Sequence, residues 1–162
     1  IGPNMTAGEL HDQLMYTGAA LLVKTVEAMA AGDHPLQDQV GLLAGREPKH
    51  APKIFKEDMK VDWTLGVDAI FNHIRGLSPF PTAWTEFRNK KNGEVVSLKI
   101  FETERIIKDH GKDVGLSTDN KTYLDVLVEG GVIRIKELQL SGKKRMKTEE
   151  FLRGFHIEDY SL

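Results

Sequence analysis

Between Ala83 and Leu140 the hydrophobic period is that of a strand, and glycine-bearing turns interrupt it twice. Residues 84–88 and 95–104 flank Asn89-Lys90-Lys91-Asn92-Gly93, and residues 122–128 and 132–140 flank Glu129-Gly130-Gly131. Alternating segments on either side of such a turn are the mark of antiparallel hairpins, because Gly and Asn tolerate the positive φ that a tight reversal needs. A further short strand is expected around Asp113 to Ser117. About four to six short strands, several with one apolar face, must cover their own sheet; a small closed or partly open barrel does so and leaves few bare edges.

Helices are expected on both sides of this sheet, giving an α+β domain. Thr64 is expected to cap a short helix with Val67, Ile70, Phe71 and Ile74 on one face, closed by Gly76 before Pro79 and Pro81. The run Arg75-Gly76-Leu77-Ser78-Pro79-Phe80-Pro81 then aims the chain into the first strand and places Phe80 and Trp84 for packing. Trp63 also reads as a packing residue. Thr148 is expected to cap a terminal helix that docks through Phe151, Leu152 and Phe155.

The opening segment is different. Thr6-Ala7-Gly8-Glu9 is a capping box, and Leu10, Leu14, Leu21, Leu22, Val26 and Met29 recur at helical spacing until Gly32 supplies a C-cap. A helix of about 25 residues draws most of its stability from tertiary packing, yet nothing downstream offers this stripe an obvious partner. The chain starts at Ile1 rather than Met, so the helix is expected to belong to a domain that precedes it. By itself it should be disordered, fold back on the barrel, or self-associate through residues 6–31. Residues 33–53 hold three prolines and two glycines without sustained periodicity and read as an extended linker. The expected division is 1–32 terminal helix, 33–54 linker and 55–162 barrel domain.

Composition excludes several chemistries. The chain has no Cys, so disulfides, thiolate metal sites and Cys nucleophiles are ruled out. His11, His34, His50, His73, His110 and His156 are scattered, with no metal-ligand spacing, and neither a nucleophile elbow nor a phosphate-cradling glycine loop occurs. No catalytic, cofactor-binding or metal-binding residue is assigned; His73 reads as a surface or hydrogen-bonded histidine. No apolar run approaches the length of a membrane span, and a cytoplasmic location is expected.

Charge is the one functional signal. The formal net charge is -2, but Arg134, Lys136, Lys143, Lys144, Arg145 and Lys147 stand in one short stretch with a single acidic residue, Glu137. Lys143, Lys144 and Arg145 follow Gly142 on a strand-to-helix loop where nothing apolar competes for their side chains, which favours a phosphate site. Arg134 and Lys136 alternate on the preceding strand and should point to one face. Lys90 and Lys91 are weaker candidates, since lysine also blunts sheet edges. Lys53 and Lys56 add charge to the linker.

Four motifs in order carry a family resemblance: Ala51-Pro52-Lys53-Ile54 with Lys56-Glu57-Asp58; Asp62-Trp63; Ile74-Arg75-Gly76-Leu77-Ser78-Pro79-Phe80-Pro81-Thr82-Ala83-Trp84; and Leu138-Gln139-Leu140-Ser141-Gly142-Lys143-Lys144-Arg145-Met146. Together they resemble the C-terminal half of the methionyl-tRNA formyltransferase family. Thr6 to Asp12 with Gly18 to Leu22 resembles the last helix of that family's N-terminal folate-binding domain. The resemblance implies an OB-like barrel that helps hold initiator methionyl-tRNA, joined by a basic linker to a missing Rossmann-like catalytic domain. It also implies 10-formyltetrahydrofolate as one-carbon donor in a monomeric whole enzyme, while the residues present should be inactive alone. By the same resemblance the whole enzyme could formylate a small amine or hydrolyse the folate; a freestanding OB-like RNA-binding module is the other class. Against that class, few strand aromatics are placed for base stacking.

Overall fold

A computed structural model describes all of residues 1–162. Its centre is an antiparallel sheet of β1 (Ala83–Asn89), β2 (Val95–Ile107), β3 (Gly115–Thr118), β4 (Leu124–Val128), β5 (Gly131–Leu140), β6 (Met146–Lys147) and β7 (Tyr160–Ser161). The spatial order is β3-β4-β5-β2-β1-β7, with β6 on β5, so that the long β2 and β5 pair along the middle and the whole curls into a nearly closed barrel-like form. Both expected hairpins are present. The β4–β5 hairpin is tight because Gly130 takes a positive φ and Gly131 lies so close to the Ile106 carbonyl that a Cβ there would collide with it.

The pairing of β2 with β5 shifts register between Ile100 and Thr103. Such a bulge adds twist and bend, which a small sheet needs to close on itself. Alternation then does the rest: Ala83, Thr85 and Phe87 of β1, Leu98 and Ile100 of β2, Val126 of β4, and Ile133, Ile135 and Leu138 of β5 all point inward and are buried. Helix α3 (Val67–Leu77) closes one side with Ile70, Phe71, Ile74 and Leu77, and the short α4 (Thr148–Leu152) closes another with Phe151 and Leu152. Trp63 completes this single core, and its indole N–H donates to Thr85 Oγ1 at 2.8 Å.

Several local expectations are corrected. Gly66, not Thr64, is the N-cap of α3; Thr64 instead donates its N–H and hydroxyl to Asp62 Oδ1, a turn that holds the Asp62 carboxyl below the usual range chiefly through the hydroxyl. The helix passes through Gly76 and ends at Leu77. Lys147 occupies the N-cap of α4, because the Thr148 hydroxyl is buried and donates to the Ile135 carbonyl on β5. Phe80 does not pack: it is 84 % exposed beside the start of α1.

Helix α1 (Ala7–Ala30) forms with its capping box complete: Thr6 Oγ1 accepts from the Glu9 N–H at 3.2 Å and Glu9 Oε2 accepts from the Thr6 N–H at 2.8 Å. Those bonds, the backbone one first, lower the Glu9 pKa. Gly32 follows the Ala31 C-cap with positive φ. The helix is ordered yet buries no residue. It is tied to the barrel only at its start, where the Gly8 N–H donates to the Ser78 carbonyl at 2.9 Å and Arg75 Nη1 to the Met5 carbonyl at 2.7 Å. The segment after it is not uniformly extended, since Asp38 caps a one-turn helix α2 (Gln39–Leu43). No helix is long and apolar enough to cross a membrane.

Candidate nucleic-acid interface

The loop between β5 and β6 is built before its charges matter. Gly142 takes a positive φ, the Lys143 N–H donates to the Leu140 carbonyl at 3.0 Å, and Gln139 Nε2 donates to the Lys143 carbonyl at 2.7 Å. The backbone of Lys143 is thereby fixed while its exposed ammonium has no carboxylate partner. Lys144 is paired with Glu150 at 3.2 Å, on the solvent side. Arg145 is held more firmly: it ion-pairs with Glu137 and its guanidinium lies 4.3 Å above the Phe101 ring. Stacking of this kind orients a cation without neutralising it, whereas the carboxylate competes with any incoming phosphate. Lys136 and Lys147 are exposed and unpaired.

The remaining candidates separate from that loop. Arg134 lies opposite Asp125 in the β4–β5 register and forms a two-pronged pair, Nε and Nη2 each 2.8 Å from a carboxylate oxygen. Hydrogen bonding to that nearly buried carboxylate raises the guanidinium pKa further, and Tyr123 covers it at 5.2 Å. Arg134 therefore shares an outward face with Lys136 but is committed to the sheet. Lys91 pairs with Asp159 at 2.6 Å, which raises the lysine pKa and lowers that of the aspartate. Lys90 Nζ donates to the Glu158 carbonyl at 2.9 Å. These two lysines fasten the first hairpin to the C-terminal segment beside β7.

Lys53 and Lys56 sit over aromatic rings, Lys53 5.5 Å from the centre of exposed Phe55 and Lys56 5.4 Å from that of Trp84. Trp84 is half-buried on the outer side of β1 rather than in the core, and its indole N–H donates to the Lys56 carbonyl at 2.9 Å. Lys60 approaches the same ring at 5.0 Å. Sequence reasoning missed Lys60 and read Trp84 as a packing residue; the alternation of β1 carried the signal, since Ala83 and Thr85 point inward.

A groove of about 1150 Å³ lies between the start of α1, α3 and β2. Its three guanidiniums are engaged, Arg105 with Asp68, Arg145 with Glu137 and Arg75 with Asn72 and a carbonyl, and Glu9, Asp12, Glu102 and Glu104 line it as well. Such a mixed rim does not select a polyanion. His73 buries Nε2 without a hydrogen-bond partner, contrary to expectation. His110 places Nε2 between the Val128 and Gly131 carbonyls at 2.9 and 3.0 Å and accepts the Lys112 N–H at Nδ1, an arrangement that ties a loop to the β4–β5 turn. No three His, Asp or Glu side chains come together as a metal site.

The chain as a whole is similar to known proteins. Over 151 residues the chain is 44% identical to the methionyl-tRNA formyltransferase of Bacteroides fragilis, a match covering 93% of this chain and 46% of that protein. The enzyme of the same name from Phocaeicola vulgatus is 44% identical over 152 residues, 93% of this chain and 47% of that one. That from Azobacteroides pseudotrichonymphae is 46% identical over 151 residues, 91% and 46%. The chain thus spans about half the length of the curated relatives it matches. A solved structure of a HypX variant from Aquifex aeolicus shares the fold, with a TM-score of 0.54 and 19% identity over 83% of this chain and 23% of that one. The family model described as the formyl transferase C-terminal domain matches residues 53–156, which take in α3, the whole barrel up to its last strand, and the basic loop; the chain belongs to that family.

Proposed function

We propose that this chain is the RNA-holding part of a methionyl-tRNA formyltransferase, an enzyme that moves a formyl group from 10-formyltetrahydrofolate to the methionyl amino group of initiator tRNA. The observation that carries this reading is the identity to enzymes of that name along almost the whole chain. Residues 55–162 form the OB-like tRNA-binding domain in this reading, 33–54 the linker, and 1–32 the last helix of a Rossmann-like catalytic domain, whose surface would cover the apolar stripe of α1. The folate donor and the groups that polarise the formyl carbon belong to that upstream domain. The whole enzyme is read as a cytoplasmic monomer.

What the present residues contribute is position. Lys143, Lys136 and Lys147 carry unpaired ammoniums near the end of β5, with Lys144 and Arg145 beside them, and each phosphate they neutralise releases counterions. Contacts of this kind read the backbone and shape of a folded RNA rather than its bases. The test is a titration of the 162-residue chain with initiator tRNA at several salt concentrations. Lys143→Ala with Lys144→Ala should flatten the slope of log K against log salt by about 1 to 2 units, at about 0.7–0.9 per phosphate. Unchanged slope and affinity would overturn the assignment of the loop. Incubated with the folate donor and methionyl-tRNA, the chain alone should transfer no formyl group; measured transfer would overturn the division of labour.

A further inference from the structure

Strand register places four outward side chains in one line across the barrel. Lys60 bridges to Trp84, Trp84 pairs with Lys99, and Lys99 pairs with Gln139. All lie on the outer face because their neighbours Val61, Ala83, Thr85, Leu98, Ile100 and Leu138 are buried. Adjacent strands are about 4.8 Å apart, so the line from Lys60 to Gln139 crosses about 14 Å. Gln139 then bonds to the backbone of Lys143 at 2.7 Å and joins the line to the basic loop.

From this alignment, which rests on the RNA-binding reading above, we infer that the outer face of β1, β2 and β5 is a track for an RNA sugar-phosphate backbone, with Lys60, Lys99 and Lys143 as its cations and Trp84 as the residue that positions Lys60. Charge complementarity supports the assignment. Of Lys56, Lys60, Lys99 and Lys143, only Lys60 has a carboxylate at salt-bridge distance, Glu86 at 2.7 Å in an exposed pair. Lys99 has no carboxylate partner at all. Trp84 has its indole N–H fixed on the Lys56 carbonyl and two ammoniums about one ring-width above it, at 5.4 and 5.0 Å. A rigid ring that orders flexible lysines lowers the entropy lost when they engage an anion. Because those ammoniums occupy the ring, the surface suits phosphates and not stacked bases.

A second observation places the sugar. Between Lys99 and Gly142 lies an open recess of about 240 Å³, lined by Ser97, Gln139 and Ser141. Hydroxyls and a cation around a shallow hollow offer polar partners to a ribose-phosphate unit, its 2′-hydroxyl included.

Three variants of the full 162-residue chain test the track with initiator tRNA as the probe. Lys60→Ala with Lys99→Ala should flatten the salt slope by about 1.5 units and weaken binding about tenfold or more, with melting unchanged within about 2 °C, since these side chains are solvated. Trp84→Leu should weaken binding about three- to tenfold at every salt concentration while leaving the slope within about 0.5, as expected of a residue that positions cations without contacting phosphate. Trp84→Phe, which keeps a ring, should recover most of the affinity. If the lysine pair leaves slope and affinity unchanged while the Lys143→Ala, Lys144→Ala variant loses both, the track is overturned and the RNA-binding reading stands. If the unaltered chain does not bind tRNA, both fall. Polyglutamate binding as tightly as tRNA and with the same salt slope would reassign the face to an acidic protein and overturn the proposal.

Discussion

Replacing Arg134 with Ala separates a structural cation from a functional one. In the folded chain the guanidinium makes two bonds of 2.8 Å to Asp125, whose side chain is 9% exposed against 33% for the arginine. Removal leaves a carboxylate on β4 with little water and no partner. A fully buried pair broken in this way costs about 3–5 kcal/mol, whereas an exposed pair is worth about 0–1 kcal/mol. One-third exposure of the arginine puts the cost between these, at about 2 kcal/mol. At roughly 2–4 °C per kcal/mol for a chain of this size, the melting temperature should fall by about 4–8 °C. Arg134→Lys keeps the charge but loses the fork and should cost about 1 kcal/mol. Asp125→Ala combined with Arg134→Ala should be less destabilising than the sum of the single changes, because the second substitution removes the charge stranded by the first. Circular dichroism melts of the four variants measure these differences, and a tRNA titration below the melting range should give Arg134→Ala the wild-type salt slope. A normal melting temperature together with a slope reduced by about 0.9 would show that Arg134 faces phosphate and that its pairing contributes nothing.

Thr148→Val keeps the shape of the side chain but strands the Ile135 carbonyl in the core; a loss of about 1–3 kcal/mol in urea unfolding is expected, and Thr148→Ser should recover part of it. Equal stability of Val and Thr would show that the hydroxyl is not a core bond. Asp119 accepts from the N–H groups of Lys121, Thr122 and Tyr123 and from the Thr122 hydroxyl, the last being the main cause of a carboxyl held far below the usual range. Its folded pKa is below its unfolded one, so its contribution is complete above the ordinary aspartate value of about 3.9 and fades as pH falls through the folded value. Amide exchange at residues 121–123, corrected for intrinsic rates, should quicken only below about pH 4. Protection independent of pH down to 2 would refute the role of the carboxylate.

The two hairpins, the capping box of α1 and the apolar face of α3 were legible in the sequence because each is local. Alternation, turn chemistry and helical spacing operate over a few residues and need no knowledge of what lies across the barrel. The shortest elements show where that legibility ends. Thr64 and Thr148 have the chemistry of helix caps, but Asp62 takes the hydroxyl of the first and the Ile135 carbonyl that of the second. A side-chain hydroxyl bonds to whichever acceptor is nearest, and only the fold brings Ile135 beside Thr148.

The basic stretch shows the same limit at the level of function. Its six cations were visible as a cluster, yet which of them are free is set by the folding of neighbouring elements onto one another: β4 brings Asp125 to Arg134, β5 brings Glu137 to Arg145 and α4 brings Glu150 to Lys144. Lys91 is taken up by Asp159 and Lys60 is brought to Trp84 by pairings that composition does not encode. Consecutive residues were enough to indicate a small antiparallel barrel with a positively charged loop, because hydrophobic period and charge density are local properties. Which charges remain available, and that Lys60, Trp84, Lys99 and Gln139 share one line, follow only from the folded sheet, because strand register converts positions far apart in the chain into neighbours about 5 Å apart.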